Sequence, residues 1–151
     1  MSDDDHLELT APVTDLDWEH YFDLRWRVLR KPWNQPPGSE RDALDPESFH
    51  LMLRGQPDAV VAVGRLHLNS PEEAQVRFMA VDESWRGRGL GSRILEGLEK
   101  QAHAQAMKRV VLNARQEAID FYLKHGYLVE GPADTLFGTV RHARMRKDIG
   151  K

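Results

Sequence analysis

No cysteine occurs among the 151 residues, which excludes disulfides, thiolate metal ligands and cysteine nucleophiles and suits a reducing compartment. No apolar run approaches the ~20 residues that cross a bilayer. The opening MSDDDHLELT has neither the basic nor the apolar segment of a secretory leader, so the expectation is a cytoplasmic protein without a membrane partner. Positive charge is missing from the first twenty residues, which hold seven acids; positions 1–6 read as a flexible acidic tail and residues 7–151 as a single domain. Over the whole chain 21 Lys and Arg stand against 24 Asp and Glu, a net charge of −3, so no global field attracts nucleic acid. What is present, 40% hydrophobic residues in a chain of this length, suffices for one core without a structural metal.

The hydrophobic pattern alternates between the two secondary-structure periods. LELTAP is a short strand. Residues 14–30 have Leu16, Tyr21, Leu24 and Val28 at helical spacing, with Thr14 placed to cap and Asp15 and Asp17 in the first turn. The Pro- and Gly-rich KPWNQPPGSERDALDPES is a long connection with room for a short helix. FHLMLRG and DAVVAVGRLHLN form a hairpin about QPD, and PEEAQVRFMAV enters another strand with Val76, Phe78 and Ala80 on one face. Leu90, Ile94, Leu98 and Ala102 mark one stripe of a helix reaching about Gln105. KRVVLNA is a buried strand, QEAIDFYLKHG a short helix ending at Gly126, and YLVEG and VRHARMRKDI are closing strands. The order is mixed α and β, with a parallel pair bridged by the central helix.

The junction WRGRGLGSR, Trp85 to Arg93, carries the chemistry. Glycines at a helix N-terminus let an anion rest on unpaired N–H groups, and arginines add charge-assisted bonds. The P-loop pattern fails because Gly91 is followed by Ser92 and Arg93 where Lys-Ser/Thr should stand, and the dinucleotide fingerprint fails because G-x-G-x-G in mid-chain is not G-x-G-x-x-G in a first β-α unit. RGRGLG, Arg86 to Gly91, resembles instead the Q/R-x-x-G-x-G/A signature of the GNAT family of acetyl-CoA-dependent N-acetyltransferases. The likeness extends over roughly Val60 to Lys147, including the A-x-x-F-Y-x-x-x-G-F/Y run at Ala118 to Tyr127.

That resemblance implies an α/β fold with a mixed central sheet of six to seven strands flanked by helices, and a splayed parallel strand pair at the cofactor site. It implies acetyl-CoA as cosubstrate, no metal, and direct acetyl transfer to a primary amine of a small molecule or peptide. The backbone of Met79, Ala80 and Val81 would pair with the pantetheine arm. Arg86, Gly87, Arg88, Gly89, Leu90, Gly91 and Ser92 would hold the pyrophosphate. Asn113 would bond the pantetheine and Phe121 would wall the CoA channel, while the Tyr122 hydroxyl would protonate the departing thiolate. The base that takes the amine proton stays open among Glu83, Asp82, Glu73, His67, His142 and a water chain. The alternative is a non-catalytic acyl-CoA-binding regulatory module on the same fold; a homodimer is compatible with either. Trp26, Trp33 and the loop after them would cover the acceptor, and Arg25, Arg27, Arg30, Lys31 and Arg41 there favour an acceptor bearing a carboxylate.

Overall fold

The computed structural model describes residues 6–55 and 59–150. Residues 1–5 of the expected tail at 1–6, and the expected QPD turn at residues 56–58, lie outside the described residues; His6 is described and exposed. Strands β1 (Glu8–Thr10), β2 (Phe49–Arg54), β3 (Val60–Leu68), β4 (Glu73–Val81), β5 (Arg109–Arg115), β6 (Leu128–Leu136) and β7 (Val140–Asp148) alternate with helices α1 (Asp15–Leu29), α2 (Leu90–Ala104) and α3 (Ile119–Lys124). They form one seven-stranded mixed sheet in the order β1-β2-β3-β4-β5-β7-β6. β4 and β5 are parallel, and α2 supplies the crossover that such a pair requires. The other recorded pairings are antiparallel.

The described residues cluster into two compact units. The first holds those up to His67 together with Phe78–Leu98, and the second holds Leu68–Arg77 together with those from Glu99 onward. In the first unit, α1 starts where its sequence says it should. Thr14 accepts from the Asp17 amide at 3.0 Å, and the Asp17 carboxylate accepts from the amides of Thr14 and Val13, a reciprocal cap. Tyr21, Leu24 and Val28 pack with Met52, Val60, Val63 and Ala80. Leu16, expected on the same stripe, is 48% exposed; Arg25 takes the buried position instead. Gly64 in β3 lets α2 approach closely, since a Cβ there would stand 2.6 Å from Ile94 Cγ2 and 2.9 Å from Met79 Sδ.

In the second unit the buried side chains include Val110, Val111, Leu112, Ala114, Tyr122, Tyr127, Val140 and Met145. β6 runs five residues beyond YLVEG, through Pro132. A proline is tolerated there because β6 is an edge strand that pairs only with β7, with register shifts on either side of Pro132. The expected helix at Gln116 begins as a 3-10 turn, Gln116–Ala118, before α3 proper.

Candidate functional site

The glycine junction lies in the first unit. After Val81 the Asp82 carboxylate caps a 3-10 turn over Glu83–Trp85, accepting from the Ser84 amide at 3.1 Å and its hydroxyl at 2.9 Å. The chain then reaches Gly87 and Gly89 with φ of +80° and +76°, a backbone that L-residues adopt at a cost of about 1–2 kcal/mol each. A Cβ added at either would meet nothing within 4 Å, so close packing within the protein does not account for these glycines. Arg86 to Gly89 are exposed, the Arg88 guanidinium lies 4.6 Å from the Trp85 ring centroid, and buried Leu90 anchors the first turn of α2. Gly91 and Ser92 follow, half-buried, so the amides that open α2 come directly after an uncrowded loop.

β4 leads into that junction. Its parallel ladder with β5 runs over Glu73–Arg109, Ala74–Val110, Gln75–Val111 and Val76–Leu112, and no pair beyond Val76–Leu112 is formed among the described residues. Phe78, two residues further, has φ +57°, a genuine outlier for a bulky residue. Phe78 is buried, its ring centroid 4.2 Å from the Arg25 guanidinium carbon and 4.9 Å from that of Arg65. Both arginines are fully buried. Asp45 Oδ1 accepts from Nη1 of each, at 3.0 and 2.9 Å, and Asp42 pairs with Arg65 at 2.5 Å. Burial pushes the Asp45 carboxyl up, but the Asp42 amide and the two guanidiniums outweigh it and hold the pKa below the usual range. His50 Nε2 donates to the Asp45 carbonyl at 2.7 Å, which leaves Nδ1 as an acceptor 2.8 Å from the Tyr21 hydroxyl. Burial keeps that imidazole's pKa low, assisted by the Arg25 and Arg65 charges.

This network is absent from the sequence reading. It joins α1, the loop at Asp42 and Asp45, β2, β3 and the kink in β4, and its only local signal is a D-x-x-D spacing. It also corrects the expectation for the cover. Arg25 is committed to Asp45, while Arg30 is buried and donates to the Ser39 and Leu29 carbonyls. Arg27 pairs with Asp23 and Asp82, and Arg41 with Glu40. Four of the five cations expected to favour an acceptor carboxylate therefore have internal anionic or carbonyl partners. Trp26 anchors the loop, its indole N–H donating to the Gln35 carbonyl at 3.0 Å; Trp33 is half-buried.

The second unit carries the remaining predicted residues. Asn113 is exposed and directly follows Leu112, the last residue of β5 that pairs with β4, and itself pairs with Arg144 of β7. In α3, Phe121 is half-buried and packs edge-to-face on Tyr122 at 5.0 Å. The three tyrosines of the chain differ in one respect. Tyr127 donates to Glu99 at 2.7 Å and Tyr21 lies on His50 and Gly64, whereas the hydroxyl of Tyr122, a residue only 7% exposed, has no hydrogen bond among the described residues. Burial pushes the Tyr122 pKa up to about 12, against a smaller opposing effect of Arg115.

The base candidates separate by geometry. Burial pushes Glu73 up, but bonds from Asn69 and Arg109 and the charge of Arg144 hold it ionised. Burial likewise pushes Asp82 up, and Ser84 and Arg27 outweigh it. Arg65 Nη2 donates to His67 Nδ1 at 3.1 Å, so neutral His67 carries its proton on Nε2. His142 is the reverse: Nδ1 donates to the Val140 carbonyl at 3.0 Å, leaving the Nε2 lone pair as an acceptor. Glu83 is exposed. No group of three or more His, Asp or Glu able to hold a metal occurs among the described residues, and no described helix is long and apolar enough to cross a membrane.

The profile of the acetyltransferase (GNAT) family matches residues 18–127. A relative from Bacillus subtilis, the uncharacterized N-acetyltransferase YjcF, is 32% identical over 127 residues, covering 84% of this chain and 89% of that one. Among solved structures, a GNAT family acetyltransferase from Elizabethkingia anophelis with acetyl-CoA bound superposes with a TM-score of 0.74 at 12% identity, over 96% of this chain and 99% of that one. An aminoglycoside 6′-N-acetyltransferase complexed with coenzyme A gives 0.78 at 16% identity, over 95% and 98%. The chain belongs to the GNAT acetyltransferase family and is an acyltransferase.

Proposed function

We propose that this protein transfers an acetyl group from acetyl-CoA directly to the primary amine of a small molecule or peptide, with residues 7–151 acting as one catalytic domain. The observation that carries the reading is the junction at Gly87 and Gly89: two left-handed glycines with open space above them, leading into the amides that start α2. Such a surface accepts the pyrophosphate of CoA on backbone N–H groups, with Arg86 and Arg88 beside it and Leu90, Gly91 and Ser92 opening the helix. Met79, Ala80 and Val81, past the end of the β4–β5 ladder, pair with the pantetheine arm, and Asn113 bonds it. Phe121 walls the channel.

In the transfer, the amine lone pair attacks the thioester carbonyl carbon, the C–S bond breaks, and sulfur leaves as thiolate. A Tyr122 pKa of about 12, against ~8.5 for a simple thiol, makes outright proton transfer to sulfur uphill. Tyr122 acts mainly by donating a hydrogen bond to the charge that builds there, and its unmatched hydroxyl supports that role. An alkylamine of pKa ~10.4 is almost wholly protonated at neutral pH, so its proton must pass to a base or a water chain. Committed internal pairing of the loop cations withdraws support for an acceptor carboxylate, and the half-buried Trp26 and Trp33 support a compact, partly apolar acceptor.

The test is thermal stability with CoA. At 100 times its Kd, CoA adds about 2.7 kcal/mol and raises Tm. Gly89→Glu, which sets a carboxylate where the pyrophosphate belongs, abolishes the shift. An equal shift in that variant would mean that the phosphates bind elsewhere.

A further inference from the structure

We propose that Arg25 and Arg65 are positioning residues: stacked on the Phe78 ring and tied together by Asp45, they hold Phe78 in the left-handed conformation that sets the course of Met79–Val81. The inference rests on the reading that Met79–Val81 receives the pantetheine arm. Four observations carry it. Phe78 takes φ +57° although it is neither Gly nor Asn, so something outside its own backbone preference must keep it there. Both guanidiniums are fully buried, and the Nε of each has no hydrogen-bond partner. Their Nη groups are held by Asp45 and its neighbours, while their central carbons lie 4.2 and 4.9 Å from the Phe78 ring centroid, so the polar network presents both cations to the ring.

Asp45 Oδ1 bridges the two arginines, which fixes their separation and makes the pair a rigid clamp. Burying two cations and their counter-ions gains little over an apolar cluster of equal volume, so its presence at this place calls for a role besides stability. The place is the one where β4 stops pairing with β5, after Val76–Leu112.

Three substitutions and two probes test the clamp. CoA carries the pantetheine arm, and adenosine 3′,5′-bisphosphate lacks it and reports the nucleotide end of the site. Phe78→Leu keeps most of the side-chain volume but must hold φ +57° without a ring to grip. Phe78→Gly removes all the volume yet takes that φ freely. By calorimetric titration, Phe78→Leu is expected to weaken CoA about tenfold, with bisphosphate affinity within about twofold of wild type. Phe78→Gly is expected to lose less CoA affinity than Phe78→Leu. Arg65→Lys, which keeps the charge but not the planar stack, is expected to follow Phe78→Leu on both probes, and it decides the matter if Phe78→Gly does not fold. A greater loss for Phe78→Gly, parallel loss of both probes, or unchanged CoA affinity in Phe78→Leu and Arg65→Lys would each overturn the proposal. Failure of the wild-type protein to bind CoA would instead overturn the functional reading beneath it.

Discussion

At the scale of single residues, Tyr122 and Asp45 carry opposite kinds of expectation. Tyr122→Phe removes one hydroxyl that has no partner to lose, so it leaves CoA affinity near normal and lowers kcat by ~10-fold or more; steady-state kinetics beside a CoA titration measures both. Because burial raises the Tyr122 pKa to about 12, the hydroxyl stays protonated through neutral and moderately alkaline pH. The rate should therefore climb toward pH 10 as the amine deprotonates, with no alkaline fall from this group below that point. A pH–rate profile that turned over near pH 8 in wild type but not in Tyr122→Phe would contradict the assignment. The sign for stability follows: the contribution of the protonated tyrosine is complete below its ordinary pKa of 10 and is lost as pH rises through about 12.

Asp45→Ala strands two fully buried guanidiniums, and removing one partner of such a network costs about 3–5 kcal/mol. Denaturant unfolding should register that loss, and a variant within 1 kcal/mol of wild type would show that the network is screened by water. Because burial is outweighed by the Asp42 amide and the two guanidiniums, which hold the folded Asp45 carboxyl below its ordinary pKa of 3.8, this contribution is present above about pH 4. It disappears only as acidification passes the depressed folded value.

At the scale of elements, the order of strands and helices was legible because each signal is local. Thr14 caps α1, the four-residue stripe Leu90, Ile94, Leu98, Ala102 is buried on α2, and β4 alternates as its sequence alternates. The glycine junction was legible for the same reason, six consecutive residues carrying the pattern. What could not be read depends on contacts between segments far apart in the chain. Arg25 reads as one of the cations facing an acceptor because nothing in α1 reveals Asp45, and Leu16 reads as a core residue because spacing alone does not fix which way a weakly amphipathic helix turns. Phe78 looked like an ordinary strand residue, since φ +57° leaves no trace in a sequence. Gly64 is an element-scale prediction: Gly64→Ala forces a methyl to within 3 Å of Ile94 and Met79. Overpacking of this kind costs about 1–3 kcal/mol, and a thermal melt would show it as a lower Tm.

At the scale of the whole molecule, the central claim is that the chain is a catalyst that moves an acetyl group to an amine, and that the glycine junction and Tyr122 serve that one reaction. Family membership and a seven-stranded GNAT sheet do not by themselves name the acceptor. With four of the five loop cations paired internally, amino acids, polyamines, aminoglycosides and short peptides all belong in the panel. The most direct measurement is release of free CoA from acetyl-CoA, followed for the wild-type protein and Tyr122→Phe against that panel, with CoA affinity measured in parallel. The account predicts release that depends on one class of amine, reduced ~10-fold or more in Tyr122→Phe while CoA binds both proteins equally. Tight CoA binding with no amine-dependent release from the wild-type protein would contradict it and leave a regulatory acyl-CoA-binding module in its place.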